Sequence, residues 1–194
     1  TGNTRSVLNT GTLYLTGTGG SIIDVNAGAV NNQITSGATG SGLNVAGLNG
    51  SQNLTKWGNG YLWVRGDNST SFSGDVSIEQ GAIGVTNANA FGNAATSITA
   101  KRYGVLDILT TGFTKAVTYE AGSIERWSVD NARSGTINLG AGTLQVNADQ
   151  LTTTATIQLN GGAIEGFLRT DDVASNNTGV VFRTLGSGVS VSLL

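Results

Sequence analysis

A unit of roughly 20 residues recurs along the chain, and nothing else in the sequence restricts the fold as tightly. Its pattern is apolar-x-apolar-x-x-Gly-x-apolar-x-apolar. The clearest copies run Val76-Ser-Ile78-Glu-Gln-Gly81-Ala-Ile83-Gly-Val85 and Ile137-Asn-Leu139-Gly-Ala-Gly142-Thr-Leu144-Gln-Val146. Shorter ones centre on Gly122 and Gly162, looser ones on Gly104 and Gly188, and an early one spans Ile23 to Val30. The register glycines Gly60, Gly81, Gly104, Gly122, Gly142, Gly162 and Gly188 lie 21, 23, 18, 20, 20 and 26 residues apart. Each unit reads as two short strands in which every second side chain points to one face, with the glycine at the turn between them.

Helical repeats are excluded, because no segment has a 3.6-residue period. Hairpin proteins show turn signals at shorter spacing and no fixed unit of this length. The pattern therefore predicts an all-β, right-handed parallel β-helix (a β-solenoid) of about nine coils, stacked about 4.8 Å apart into a rod about 40–45 Å long. The chain has no proline, which suits strands that donate ladder hydrogen bonds throughout. The whole sequence, 1–194, reads as a single β-helix segment. It opens Thr1-Gly2-Asn3-Thr4 without an initiator methionine, the expectation for a processed product or a section of a longer solenoid.

Composition removes several chemistries. There is no cysteine, hence no disulfide framework, thiolate nucleophile or sulfur-ligated zinc. There is no histidine, hence no Ser-His-Asp triad, histidine proton shuttle or facial-triad iron. Ten basic against twelve acidic residues, a net charge of −2, give no electrostatic footprint for nucleic acid. No apolar run reaches the ~18 residues of a membrane span, so membrane insertion by this segment is not expected. No cofactor or metal is expected either.

The stretch 43–92 is more specific. It reads Leu43-Asn-Val45-Ala-Gly47, Asn53-Leu-Thr-Lys56-Trp-Gly58-Asn-Gly60-Tyr-Leu62-Trp-Val64-Arg-Gly66, then Phe72-Ser-Gly74-Asp-Val76-Ser-Ile78-Glu-Gln-Gly81-Ala-Ile83-Gly-Val85-Thr-Asn-Ala-Asn-Ala90-Phe-Gly92. This resembles the passenger-associated transport repeat of bacterial autotransporters: Leu-Thr-Lys-x-Gly-x-Gly-x-Leu, an aromatic-x-Gly-Gly turn, a Gly-x-Leu strand and Asn-Ala-x-Ala-Leu-Gly. Ser73-Gly74 stands where that repeat usually has Gly-Gly, and Phe91 where it often has Leu. The resemblance implies a β-helical passenger displayed at the bacterial cell surface or secreted, and an outer-membrane β-barrel translocator farther along the full-length chain. It carries over no catalytic residue.

Three positions past the register glycines come Trp63, Gly84, Asp107, Glu125, Gln145 and Glu165, all with outward parity. Stacked in register, Asp107 and Glu125 would lie about 5 Å apart, and Glu125 and Glu165 about 10 Å, spacings that bracket those of glycosidase carboxylate pairs. The plainer reading is a solvated face carrying scattered charge. Tyr61 and Trp63 flank the inward Leu62 and could offer an aromatic platform for a sugar or partner protein. Alternatively, Trp63 covers Gly84 one coil along. Trp57 has inward parity counted from Gly60, which predicts a core residue, as does Ile124 counted from Gly122. The break in alternation at Arg126 and Gly166 predicts bulges that turn Trp127 and Phe167 inward.

Asp171-Asp172 could hold calcium but reads as a polar loop, since the calcium-roll repeat is missing. The glycines from Gly37 to Gly42 lack a phosphate-loop ending and read as a turn. Asn53, Asn68 and Asn176 begin glycosylation sequons, moot in a typical bacterium. The resulting expectation is a non-catalytic, rigid scaffold for adhesion, self-association or host interaction. Its partners would be a surface protein or glycan of a host or neighbouring cell, or another copy of itself. The alternative is a polysaccharide-cleaving β-helix enzyme using Asp107, Glu125 and Glu165.

Overall fold

The computed structural model describes residues 7–26, 42–92, 96–146, 151–153, 155–158, 160–165, 168–170, 173–174 and 181–183. Every strand pairing among them is parallel. Partners lie 33 or 35 residues apart for the first two strands and 16–23 apart for the rest, spacings that wind the chain on itself. The protein is an all-β, parallel-strand β-solenoid, with no helix among the described residues.

The main sheet runs in the order Val7–Tyr14, Gly42–Asn49, Tyr61–Val64, Val76–Val85, Ile98–Ile108, Ile124–Trp127, Thr143–Val146, Ala163–Glu165 and Val181–Arg183. Leu43, Leu62, Ile83, Leu106, Glu125 and Leu144 are successive partners, five turns of 19, 21, 23, 19 and 19 residues. The long strands Val76–Val85 and Ile98–Ile108 bend across two faces. Their first residues pair with Leu54–Trp57 and Val117–Tyr119, and a register shift between Ile78 and Gln80 marks the corner. Gly81 sits at that corner with φ +71°, and a side chain there would run into the carbonyl of Gly58. Glycine is required on both counts.

Alternation sorts the side chains. Leu62, Val64, Ile83, Val85, Leu106 and Ile108 are fully buried in the interior. Burying one such side chain stabilises the fold by roughly 1.5–3 kcal/mol. Phe72, Phe91 and Phe113 fill another stretch of the core, the last two edge to face with ring centres 6.2 Å apart.

Two sequence expectations fail, both at turns. Gly122 is the third residue of a turn closed by Ser123 N–H donating to the Glu120 carbonyl at 3.0 Å, with φ +85°. Gly142 is the fourth residue of its turn, its own N–H donating to the Leu139 carbonyl at 2.8 Å. The two glycines are therefore one residue out of step. The pairing sets Ile124 against Val105 and Thr143, so Glu125 joins the interior column and Arg126 the outer one. Ile124 is half-buried against the outer-face cluster. Trp127 enters the core in plain register with Ile108 and Val146, and needs no bulge. The matching expectation for Gly166 and Phe167 lies outside the described residues, as do those for Asp171-Asp172, Asn176 and the glycine-rich turn from Gly37 to Gly42, except Gly42 itself.

The second failure is Trp57, which is 45% exposed while its neighbour Lys56 is fully buried. Lys56 pairs with Ile23 and Ile78, an interior column. The turn Gly58-Asn59-Gly60, with Gly58 at φ +78°, resets parity between the strands on either side.

Candidate functional site

The outer column of the main sheet reads Asn44, Trp63, Gly84, Asp107, Arg126, Gln145 and Glu165. Asp107 and Glu165 keep the outward places their spacing predicts, but Glu125 does not. The proposed carboxylate column is thus broken in its middle. Between Asp107 and Glu165 stand an arginine and a glutamine, and the third carboxylate faces the opposite side of the sheet.

Asp107 is fully buried, although it points outward. Tyr61, two coils back, lies over Ala82 and donates its hydroxyl proton to Asp107 Oδ2 at 3.0 Å. Arg126 Nη1 donates to the Tyr61 oxygen at 3.0 Å and stands 3.9 Å from Asp107 Oδ2, while its Nε donates to Gln145 Oε1 at 2.8 Å. Burial pushes the Asp107 pKa up, against the opposing pull of Arg126, Tyr61 and Ser128. Burial, followed by the Asp107 charge, also raises the Tyr61 pKa. The group can hold a proton at Asp107, but its hydrogen bonds close it off from solvent.

Tyr61 and Trp63 stack on each other with ring centres 4.7 Å apart and planes 8° from parallel. A side chain at Gly84 would collide with the Trp63 ring, so the indole lies over that glycine. Both aromatics are only 2–3% exposed. The outward parity is as read, but the two rings pack onto the sheet with Ala82 and Val105 and present no open platform.

Sequence reasoning missed a set of charges inside the solenoid. Glu125 Oε1 accepts from Trp127 Nε1 at 2.6 Å and lies 3.4 Å from Arg133 Nε; Oε2 has no hydrogen-bond partner among the described residues. Burial pushes the Glu125 pKa up, opposed by Arg133 and the indole bond. The Arg133 guanidinium stands 5.1 Å from the centre of the Phe113 ring and donates to the Lys115 carbonyl at 2.7 Å. Lys115, itself buried, donates to the Gly92 carbonyl at 2.7 Å. Lys56 Nζ donates to the carbonyls of Trp57, Gly58 and Gln80, and its pKa falls to about 8, chiefly through burial.

Asn68 plays a neutral version of the same part. It accepts from Leu48 N–H at 2.9 Å and donates to the Ala90 carbonyl at 2.6 Å, so its carboxamide joins three coils and is no glycan acceptor. No alternation signal exposed Glu125 or Lys56 in advance, because the parity counted from Gly122 and from Gly60 places both outward.

Among the described residues no cluster of three or more acidic side chains is placed to hold a metal ion, and no helix is long and apolar enough to cross a membrane. Comparison of the chain with family models, with curated proteins and with solved structures found no match.

Proposed function

We propose that this chain is a non-catalytic β-helical section of a cell-surface or secreted autotransporter passenger, wound right-handed in about nine coils. It works as a rigid scaffold for adhesion, self-association or host interaction. The observation that carries the reading is the use made of the ionisable side chains. Asp107, Arg126, Arg133, Lys56 and Lys115 are buried and bonded between coils, and Glu125 is buried against Arg133 within one coil, which stiffens the rod. The stretch that resembles the passenger-associated repeat supplies several of these joints: Lys56, Asn68 and the Gly81 corner. The polysaccharide-cleaving alternative was drawn from one shared carboxylate column, and Asp107 and Glu125 pair into columns on opposite sides of one sheet.

Fusing the chain ahead of an outer-membrane β-barrel translocator tests the reading in a Gram-negative host. The expected result is display of a protease-resistant segment on the cell surface, with no turnover of polysaccharides by the purified chain. Retention in the periplasm, or polysaccharide turnover abolished in Glu125→Ala, would overturn it.

A further inference from the structure

Residues 18–22 and 51–55 belong to neighbouring coils and leave between them an open cleft of about 500 Å3, inside the roughly 300–1,000 Å3 range of small-ligand sites. Thr18, Ser21, Ile22, Gln52, Asn53 and Thr55 line it, with Ser51 and two glycines. No lining residue carries a charge. The Asn53 carboxamide is fixed by Asp75 N–H donating to its Oδ1 at 3.0 Å, while its amide protons are unused among the described residues. Hydroxyls donate and accept, and carboxamides present donor and acceptor side by side. That is the complement of a vicinal diol.

The apolar surroundings point the same way. Ile22, in the lining, is 71% exposed and pairs with Thr55. Trp57 is 45% exposed on the same outward face, two residues beyond Thr55 and hence about 7 Å along the strand. The other two tryptophans, Trp63 and Trp127, are buried. Trp57 stands outside the lining and pairs with Asp24, so the exposed indole lies next along the strand from an uncharged, hydroxyl- and amide-lined cleft, a flat apolar face following a polar one.

We infer that this cleft binds a neutral saccharide. The C–H face of a pyranose ring stacks on Trp57, and its hydroxyls bond to Gln52, Asn53 and the threonines. The uncharged lining disfavours uronic and sialic acids, whose carboxylates would find no cation there. This inference goes beyond the scaffold reading and rests on different residues.

The test titrates the purified chain with maltotriose, cellotriose and triacetylchitotriose, with trigalacturonate and sialyllactose as charged counterparts, by calorimetry and tryptophan fluorescence. At least one neutral trisaccharide is expected to saturate the site with a Kd of about 1 mM or tighter. Trp57→Ala and Gln52→Ala should each weaken it about tenfold or more. Tyr103→Ala, at an aromatic that is 64% exposed elsewhere, should leave it unchanged. Melting curves confirm that each variant is folded. Saturation by none of the neutral sugars at about 10 mM, stronger binding of the charged ones, or binding indifferent to Trp57→Ala would each overturn the assignment. The surface-display test of the scaffold would stand in all three cases.

Discussion

Glu125 Oε1 and Arg133 Nε face each other at 3.4 Å inside the solenoid, both residues at most 5% exposed. Glu125 occupies a column that includes Leu43, Leu62, Ile83, Leu106, Leu144 and Ile164. Arg133 bridges to Phe113, at the end of the run of buried phenylalanines Phe72, Phe91 and Phe113. One coil has thus exchanged two apolar side chains for a pair of opposite charges.

The exchange makes the two positions interdependent. Removing one charge strands the other in the core, at about 3–5 kcal/mol, whereas replacing a buried pair by packed apolar groups is often neutral or stabilising. Glu125→Leu and Arg133→Phe should therefore each lower the urea midpoint strongly. The double variant, which restores what the neighbouring coils carry, should recover wild-type stability or exceed it. Additive losses across the double-mutant cycle would refute the coupling.

Acid titration reads the same carboxyl. Burial raises the Glu125 pKa above its ordinary 4.5. The folded state then binds the proton more tightly than the unfolded chain, so this group's contribution falls as pH rises above about 4.5. Asp107 acts in the same sense from 3.8 upward, whereas Asp67 and Asp75, lowered by bonds from Asn89 and from Ser97, act oppositely in more acid solution. The readout is therefore the difference between wild type and Glu125→Gln. Stability of the variant relative to wild type should increase from pH 4 to pH 7; a constant difference would show that Glu125 does not titrate there.

Periodicity made the solenoid legible because stacking in register demands apolar residues at fixed intervals, and a repeat of this length has few other physical causes. It failed where a turn absorbs or adds a residue. Gly122 and Gly142 look equivalent in sequence but serve as third and fourth residues of their turns, and that single step moved Glu125 from the outer face to the core. Lys56 was hidden for a related reason. Its apolar stem fits an interior column, and its ammonium meets three turn carbonyls that only folding brings together. The Trp63 cover on Gly84 was readable, because both residues lie in strands whose register the glycines Gly60 and Gly81 do mark.

Lys56 gives an alkaline counterpart. Its pKa falls from 10.5 to about 8, through burial against a smaller opposing effect of Asp24. Between those values the folded state has released a proton that the unfolded chain still holds, so stability should rise with pH from about 8 toward 10. Lys115, also lowered, adds to the rise, and Tyr61 counteracts it only at higher pH. In Lys56→Met the rise should be visibly smaller. Equal slopes for the two proteins between pH 8 and pH 10 would mean that Lys56 stays charged in the core.

Trp63 and Gly84 provide a test of the outer face in which one substitution changes sign with its background. In the wild type, Gly84→Ala drives a methyl group into the indole, and overpacking of this kind costs about 1–3 kcal/mol. Trp63→Ala removes a side chain that is 3% exposed, at about 3–5 kcal/mol. Once the indole is gone, the three atoms nearest that methyl group are gone with it, and in a strand alanine is better than glycine by roughly 0.5–1 kcal/mol. Adding Gly84→Ala to Trp63→Ala should therefore raise the urea midpoint, although the same change lowers it in the wild type. A loss in both backgrounds would mean that glycine is needed there for the backbone, and that the indole lies over it without being the reason.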